Sequence, residues 1–155
     1  MTALERLEKR LNELKVFAKK SLGQNFLVSD GVINKIIKAV DEEKPQKLIE
    51  IGPGCGALTD ILIEKYKDFK VIELDREFAA FWRAQGLEVI EADALQMEWN
   101  FGPGVSLVSN LPYQISSSLV IERSMDQVLL NLMVLMFQKE VAQRIRAAQQ
   151  TEHYG

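Results

Sequence analysis

Three glycines in five residues, Gly52-Pro53-Gly54-Cys55-Gly56, follow directly on the apolar run Leu48-Ile49-Glu50-Ile51. Glycine lets a backbone turn tightly and come close to a ligand, so this loop is suited to cradling a small molecule. The spacing is GxGxG, not the GxGxxG of dinucleotide folds, and Pro53 removes an N–H that a phosphate would use. Both features favour a nucleoside without a pyrophosphate. Two acids then close the next two apolar runs. Glu73 stands where a strand-tip carboxylate accepts the ribose hydroxyl protons, and Asp93 where one accepts a hydrogen bond from an adenine amino group. Ligands of open α/β sheets bind at the carboxyl ends of the strands, so these three tips together describe an adenosine pocket. A fourth run ends in Asn110-Leu111-Pro112-Tyr113.

The elements that must position these residues show in the hydrophobic pattern. Leu4, Leu7, Leu11 and Leu14 predict an amphipathic helix packed on the parent domain. Ser29 or Asp30 caps a second helix with Val32, Ile33, Ile36, Ile37 and Val40 on its apolar face. Short apolar runs at 47–51, 70–74, 87–92, 105–109 and 131–137 then predict strands. Helices are expected at 57–66, 78–85 and 139–148. Alternation of this kind argues for a parallel sheet wound on both faces. Cys55 reads as a small loop residue, Trp82 and Trp99 as packing residues, and Met133 and Met136 as core.

Composition narrows the classes. The chain has 155 residues, 47% hydrophobic and 26% charged, which suits one globular domain able to bury a core without disulfides. One cysteine and one histidine, His153, exclude a disulfide framework and a multi-cysteine zinc site. No apolar run approaches a membrane span, and Glu5, Glu8 and Glu13 argue against a transit peptide, so a cytoplasmic location without membrane contact is expected. The net charge of −3 does not suggest a nucleic-acid binder. However, residues 1–20 hold Arg6, Lys9, Arg10, Lys15, Lys19 and Lys20 against three acids. That arm reads as a solvated helix face, or as a contact for phosphates.

Asn110-Leu111-Pro112-Tyr113 resembles the (D/N)-x-P-(Y/F/W) signature of S-adenosylmethionine enzymes that methylate exocyclic amino nitrogens. Three longer stretches narrow the resemblance. Lys19 to Leu27 is similar to the K-x-x-G-Q-N-F-L opening of the ribosomal RNA adenine N6,N6-dimethyltransferases. Asn110 to Ser116 resembles their N-[LI]-P-Y-x-I-S motif, and Gln138 to Arg144 their Q-K-E-V-A-x-R helix start. Gly56-Ala57-Leu58-Thr59 is closer to the small-subunit enzymes than to the antibiotic-resistance methylases. Two positions depart from the pattern: Ser118 where the family often has Pro, and Val141 where some relatives have Phe.

The resemblance implies a Rossmann-like class I S-adenosylmethionine-dependent methyltransferase core. Its parallel sheet is truncated, of expected order 3-2-1-4-5, and preceded by two helices. It implies transfer of two methyl groups to N6 of adjacent adenosines in small-subunit ribosomal RNA, during ribosome biogenesis and without a metal. The alternatives are a large-subunit methylase of the macrolide-resistance type and a non-catalytic RNA-binding assembly factor. Asn110, Pro112 and Tyr113 would be catalytic; Asn25, Leu27, Gly52, Gly54, Glu73, Asp93 and Asn110 would bind the cofactor. One domain is expected over residues 1–155, with residues 1–28 a basic helix and cofactor lid. The family's C-terminal RNA-recognition domain would lie outside these residues. The uncharged strand at 131–137 would then be an edge, inviting self-association.

Overall fold

Five strands pair in parallel in the order β3-β2-β1-β4-β5: β1 Lys47–Ile51, β2 Phe69–Glu73, β3 Glu88–Glu91, β4 Val105–Asn110 and β5 Leu130–Met136. The computed structural model describes residues 1–14, 26–110, 115, 117–119, 121–122, 130–137 and 139–147. Around the sheet lie α1 Ala3–Leu14, α2 Asp30–Glu43, α3 Thr59–Lys65, α4 Arg76–Ala84 and α5 Lys139–Arg146. Among the described residues no helix is long and apolar enough to cross a membrane.

The central strands are buried on both faces, as a parallel sheet covered by helices requires. Ile33, Val40, Leu48, Leu62, Val71, Phe78 and Trp82 belong to one core cluster. Ile49, Ile51, Ile72, Trp99 and Leu107 belong to a second. Alternate residues of β1 therefore feed separate clusters, which is the two-residue period of a strand at work. Register then aligns the strand ends: Ile51 pairs with Ile72 on one side and Ser109 on the other. The loops that follow β1, β2 and β4 consequently emerge together.

Element boundaries differ from expectation mostly by one or two residues. Ser29 is the cap of α2, its hydroxyl accepting the Val32 N–H. The third helix starts at Thr59 rather than 57, because 54–58 form turns. Helical residues at 115, 117–119 and 121–122, between β4 and β5, were not expected. Met133 and Met136 were expected in the core but are half-buried, because β5 stands at the sheet edge.

Helix α1 packs on the domain as expected, although Leu4 is exposed and Ala3 is buried in its place. The reason is polar: the Ala3 N–H donates to the Asp30 carboxylate, drawing the first turn inward. Two turns further on, Arg10 Nη2 donates to both Asp60 oxygens at 3.0 and 3.1 Å. Its guanidinium also lies 4.6 Å from the Phe81 ring centre and 5.0 Å from that of Trp82. Arg10 Nη1 is buried without a hydrogen-bond partner among the described residues. Breaking one half of a largely buried pair strands the other charge, whereas removing the cation itself leaves only an acid that water can reach. Asp60→Ala is therefore expected to cost about 2–3 kcal/mol and Arg10→Met about 1 kcal/mol, as read by urea unfolding. Equal losses would show that the charge is not what anchors α1.

Candidate cofactor site

The glycine loop is bent by three left-handed residues: Gly52, Gly54 and Gly56 have φ of 68°, 49° and 86°. Two of them differ in what surrounds them. A Cβ on Gly52 would meet nothing within 4 Å, so this backbone faces open space. A Cβ on Gly56 would stand 2.6 Å from the Trp82 ring and 3.0 Å from Arg10 Nη1. Gly52 thus leaves room for a ligand, and Gly56 lets α4 and α1 close on the back of the loop.

Gly54 is held from both sides. Its N–H donates to Glu73 Oε2 at 3.1 Å, and its carbonyl accepts the Trp82 indole N–H at 2.9 Å. Glu73 Oε1 also accepts the Asp75 N–H at 2.8 Å. The Glu73 carboxylate is buried, and burial pushes its pKa up against these backbone hydrogen bonds. Asp93 is half-buried at the end of β3, its Oδ1 accepting the Leu95 N–H at 2.9 Å. Asn110 is the last residue of β4.

One cleft at the strand tips is lined by Leu27, Gly52, Gly54, Glu73, Asp93 and Asn110. The structure thus brings six of the expected site residues together. Asn25, Pro112 and Tyr113 lie outside the described residues, as do Lys15, Lys19 and Lys20 of the basic arm. The fit to a nucleoside rests on a glycine backbone facing open space beside a buried strand-tip carboxylate. Trp82 and Trp99 are buried packing residues, as expected. Cys55 is buried in the loop, and burial pushes its thiol up to about 12, which leaves it inert as a nucleophile.

Sequence reasoning missed several lining residues: Arg6 and Leu7 of α1, Phe26, Leu74, Ile115 and, most notably, Glu50. Glu50 lies within β1, 2% exposed, and its Oε2 accepts the Thr59 hydroxyl at 2.8 Å. Burial, added to the nearby Glu73 and Asp60 charges, pushes the carboxyl up to about 8, so Glu50 is protonated at neutral pH. A signal existed in the sequence: an acid inside an apolar run, nine residues before a threonine that opens the next helix.

The fold is shared with solved RNA methyltransferases. A dimethyladenosine transferase from Plasmodium falciparum superposes with a TM-score of 0.67 at 32% identity, over 81% of this chain and 48% of that one. The 23S rRNA methyltransferase ErmE gives 0.65 at 26% identity, over 77% of this chain and 50% of that one. The family model for ribosomal RNA adenine dimethylases matches residues 16–155, and the chain belongs to that family. It is 55% identical over 154 residues to the ribosomal RNA small subunit methyltransferase A of Bdellovibrio bacteriovorus, covering 97% of this chain and 56% of that protein. The chain spans a little over half the length of the curated relatives it matches.

Glu50 sets a pH dependence. Its folded pKa of about 8 lies above the ordinary 4.5, so the native state holds a proton that the unfolded chain releases. The associated stability is fully present below pH 4.5 and falls as pH rises through 8. The loss is expected to reach a few kcal/mol, with about 5 kcal/mol as its ceiling. Glu50→Gln keeps an acceptor for Thr59 and should flatten that fall. Parallel unfolding curves of wild type and variant at pH 5 and pH 9 would contradict the assignment.

Proposed function

We propose that this chain carries the cofactor-binding and catalytic part of an enzyme that transfers two methyl groups from S-adenosylmethionine to N6 of adjacent adenosines in small-subunit ribosomal RNA. The observation that carries the reading is the convergence of Asn110, Glu73, Asp93 and the glycine loop on one cleft. The family of the chain supports the substrate class. A cytoplasmic role in ribosome biogenesis, with small-subunit RNA as partner, goes with it.

Gly52 and Gly54 let the loop approach the cofactor closely. Glu73 keeps acceptor capacity for the ribose hydroxyls beyond the backbone N–H groups of Gly54, Leu74 and Asp75 that it already meets. Asp93 holds its turn with one oxygen and offers the other to the adenine amino group. By the resemblance, Asn25 and Leu27 would contact the amino-acid end of the cofactor. When bound, S-adenosylmethionine supplies an electrophilic methyl group on a sulfonium leaving group.

The target nitrogen needs help because its lone pair is delocalised into the adenine ring. The Asn110 side-chain oxygen and a backbone carbonyl near Pro112 each accept one amino hydrogen, which draws the nitrogen toward sp³ geometry. Tyr113 stacks on the base. The protein's contribution is orientation and hydrogen-bond acceptance. Asn110→Ala is expected to abolish transfer while leaving cofactor affinity within a few-fold, because its role is exercised on the target nitrogen. The assay is single-turnover methylation of small ribosomal subunits, read by primer extension on both ribosomal RNAs. Modification of the large-subunit RNA instead would favour the macrolide-resistance type of activity. Cofactor binding without transfer to either RNA would favour an assembly factor.

The edge strand adds a second expectation. Leu130–Met136 is uncharged, and all but Asn131 is half-buried against the sheet. Such an edge presents backbone donors and acceptors together with apolar side chains. The 155-residue chain is expected to form a two-fold dimer through β5 at micromolar concentration. Sedimentation showing a monomer, with β5 amides as protected from exchange as those of β1, would overturn this.

A further inference from the structure

The charges that line the cleft are unequal. Glu50, Asp60, Glu73 and Asp93 are acids, Glu50 holding a proton and Asp60 paired with Arg10, and among the described residues Arg6 is the one cation that lines the cleft. An acidic cleft suits a ligand with a sulfonium and an ammonium group. It does not suit the carboxylate that the same ligand carries on its amino-acid tail. That carboxylate needs a local positive charge or a set of N–H donors.

Arg6 is placed to supply the charge. It sits one helical turn before Arg10 on α1, on the same face. Arg10 is committed to Asp60, in the first turn of the helix that follows the glycine loop. Arg6 therefore borders the loop from the α1–α3 side, whereas Glu73 and Asp93 enter from the tips of β2 and β3. Ribose and base belong with those acids, which leaves the amino-acid tail for the end that Arg6 walls.

The present partners of Arg6 are exchangeable. Nη1 donates to the Met1 carbonyl at 2.9 Å, and Nη2 stands 3.4 Å from Asp30 Oδ1. The Arg6 side chain is 27% exposed and that of Asp30 50%, so the pair is long and wet, and worth little. Asp30 has a second use in any case, accepting the Ala3 N–H. Turning the guanidinium toward a carboxylate in the cleft gives up a weak contact for a charge-assisted one.

We propose that Arg6 is the counter-charge for the carboxylate of the cofactor's amino-acid tail, which makes α1 a wall of the cofactor site. The proposal rests on S-adenosylmethionine being the cofactor. Its alternative is that backbone N–H groups of the glycine loop other than those of Gly54 and Gly56, which donate to Glu73 and to the Pro53 carbonyl, hold the carboxylate unaided.

Calorimetry with two ligands decides between them. S-adenosylmethionine has the carboxylate; its decarboxylated analogue keeps the sulfonium, the amine and the adenosine. Wild type is expected to prefer the former by about ten-fold or more. Arg6→Met should reduce that preference to about two-fold while leaving affinity for the decarboxylated analogue unchanged. Arg6→Lys, which keeps the charge, should restore most of the preference. An unchanged preference in Arg6→Met would overturn the proposal in favour of the backbone donors. Equal weakening of both ligands would overturn it in favour of a structural role for α1, which the unfolding midpoint of the variant would register. If wild type binds neither ligand, the cofactor reading itself falls. That outcome is distinct, because it is seen before any substitution is made.

Discussion

The site is organised around one glycine. Gly54 is gripped at its N–H by the Glu73 carboxylate and at its carbonyl by the Trp82 indole. The first partner ends β2 and the second lies in α4, so the loop after β1 takes its shape from the βα unit beside it. The first bond is charge-assisted and both are part-buried, so a lost partner is costly. The second could not form as it does if Gly56 had a side chain, since the Trp82 ring fills the space that a Cβ would need. The loop, the carboxylate and the indole are therefore one device.

Charge is handled differently at each acid around this device. Asp60 is paired with Arg10, Glu50 takes up a proton, and Glu73 accepts hydrogen bonds from backbone N–H groups. Three acids this close cannot all remain bare in a buried setting, and each has a separate remedy. The remedies also fix positions, because each partner comes from a different element. Arg10 ties α1 to α3, Thr59 ties α3 to β1, and Gly54 ties the loop to β2.

Much of this was legible in the sequence, and the parts that were not share a cause. The strand-tip acids and the glycine loop stood out because each ends an apolar run, and the tips of a parallel sheet converge without further information. Leu27 came from the resemblance of its segment. Glu50 was hidden because a single acid within KLIEI reads as the solvent side of a strand, and only pairing on both sides buries it. Arg6 and Arg10 were hidden by their neighbourhood, since a basic helix reads as solvated, and their partners lie 24 and 50 residues away. The helical residues between β4 and β5 were masked by Ser116-Ser117-Ser118, poor helix formers set between Ile115 and Leu119.

The placement of the two tryptophans gives the molecule an optical reporter. Trp82 is fixed by its indole N–H to the glycine loop, while Trp99 is buried in the other core cluster with its N–H on the Ala94 carbonyl. Any movement of the loop must alter the electric field at the first indole. The second belongs to the other core cluster and is bonded instead to Ala94, beside Asp93 on the cleft. Emission from this chain therefore has one component that follows the loop and one that follows the far wall of the cleft. Replacing Trp99 with phenylalanine would leave a single tryptophan whose colour and lifetime, excited beyond the tyrosine band, record the state of the loop with no label attached.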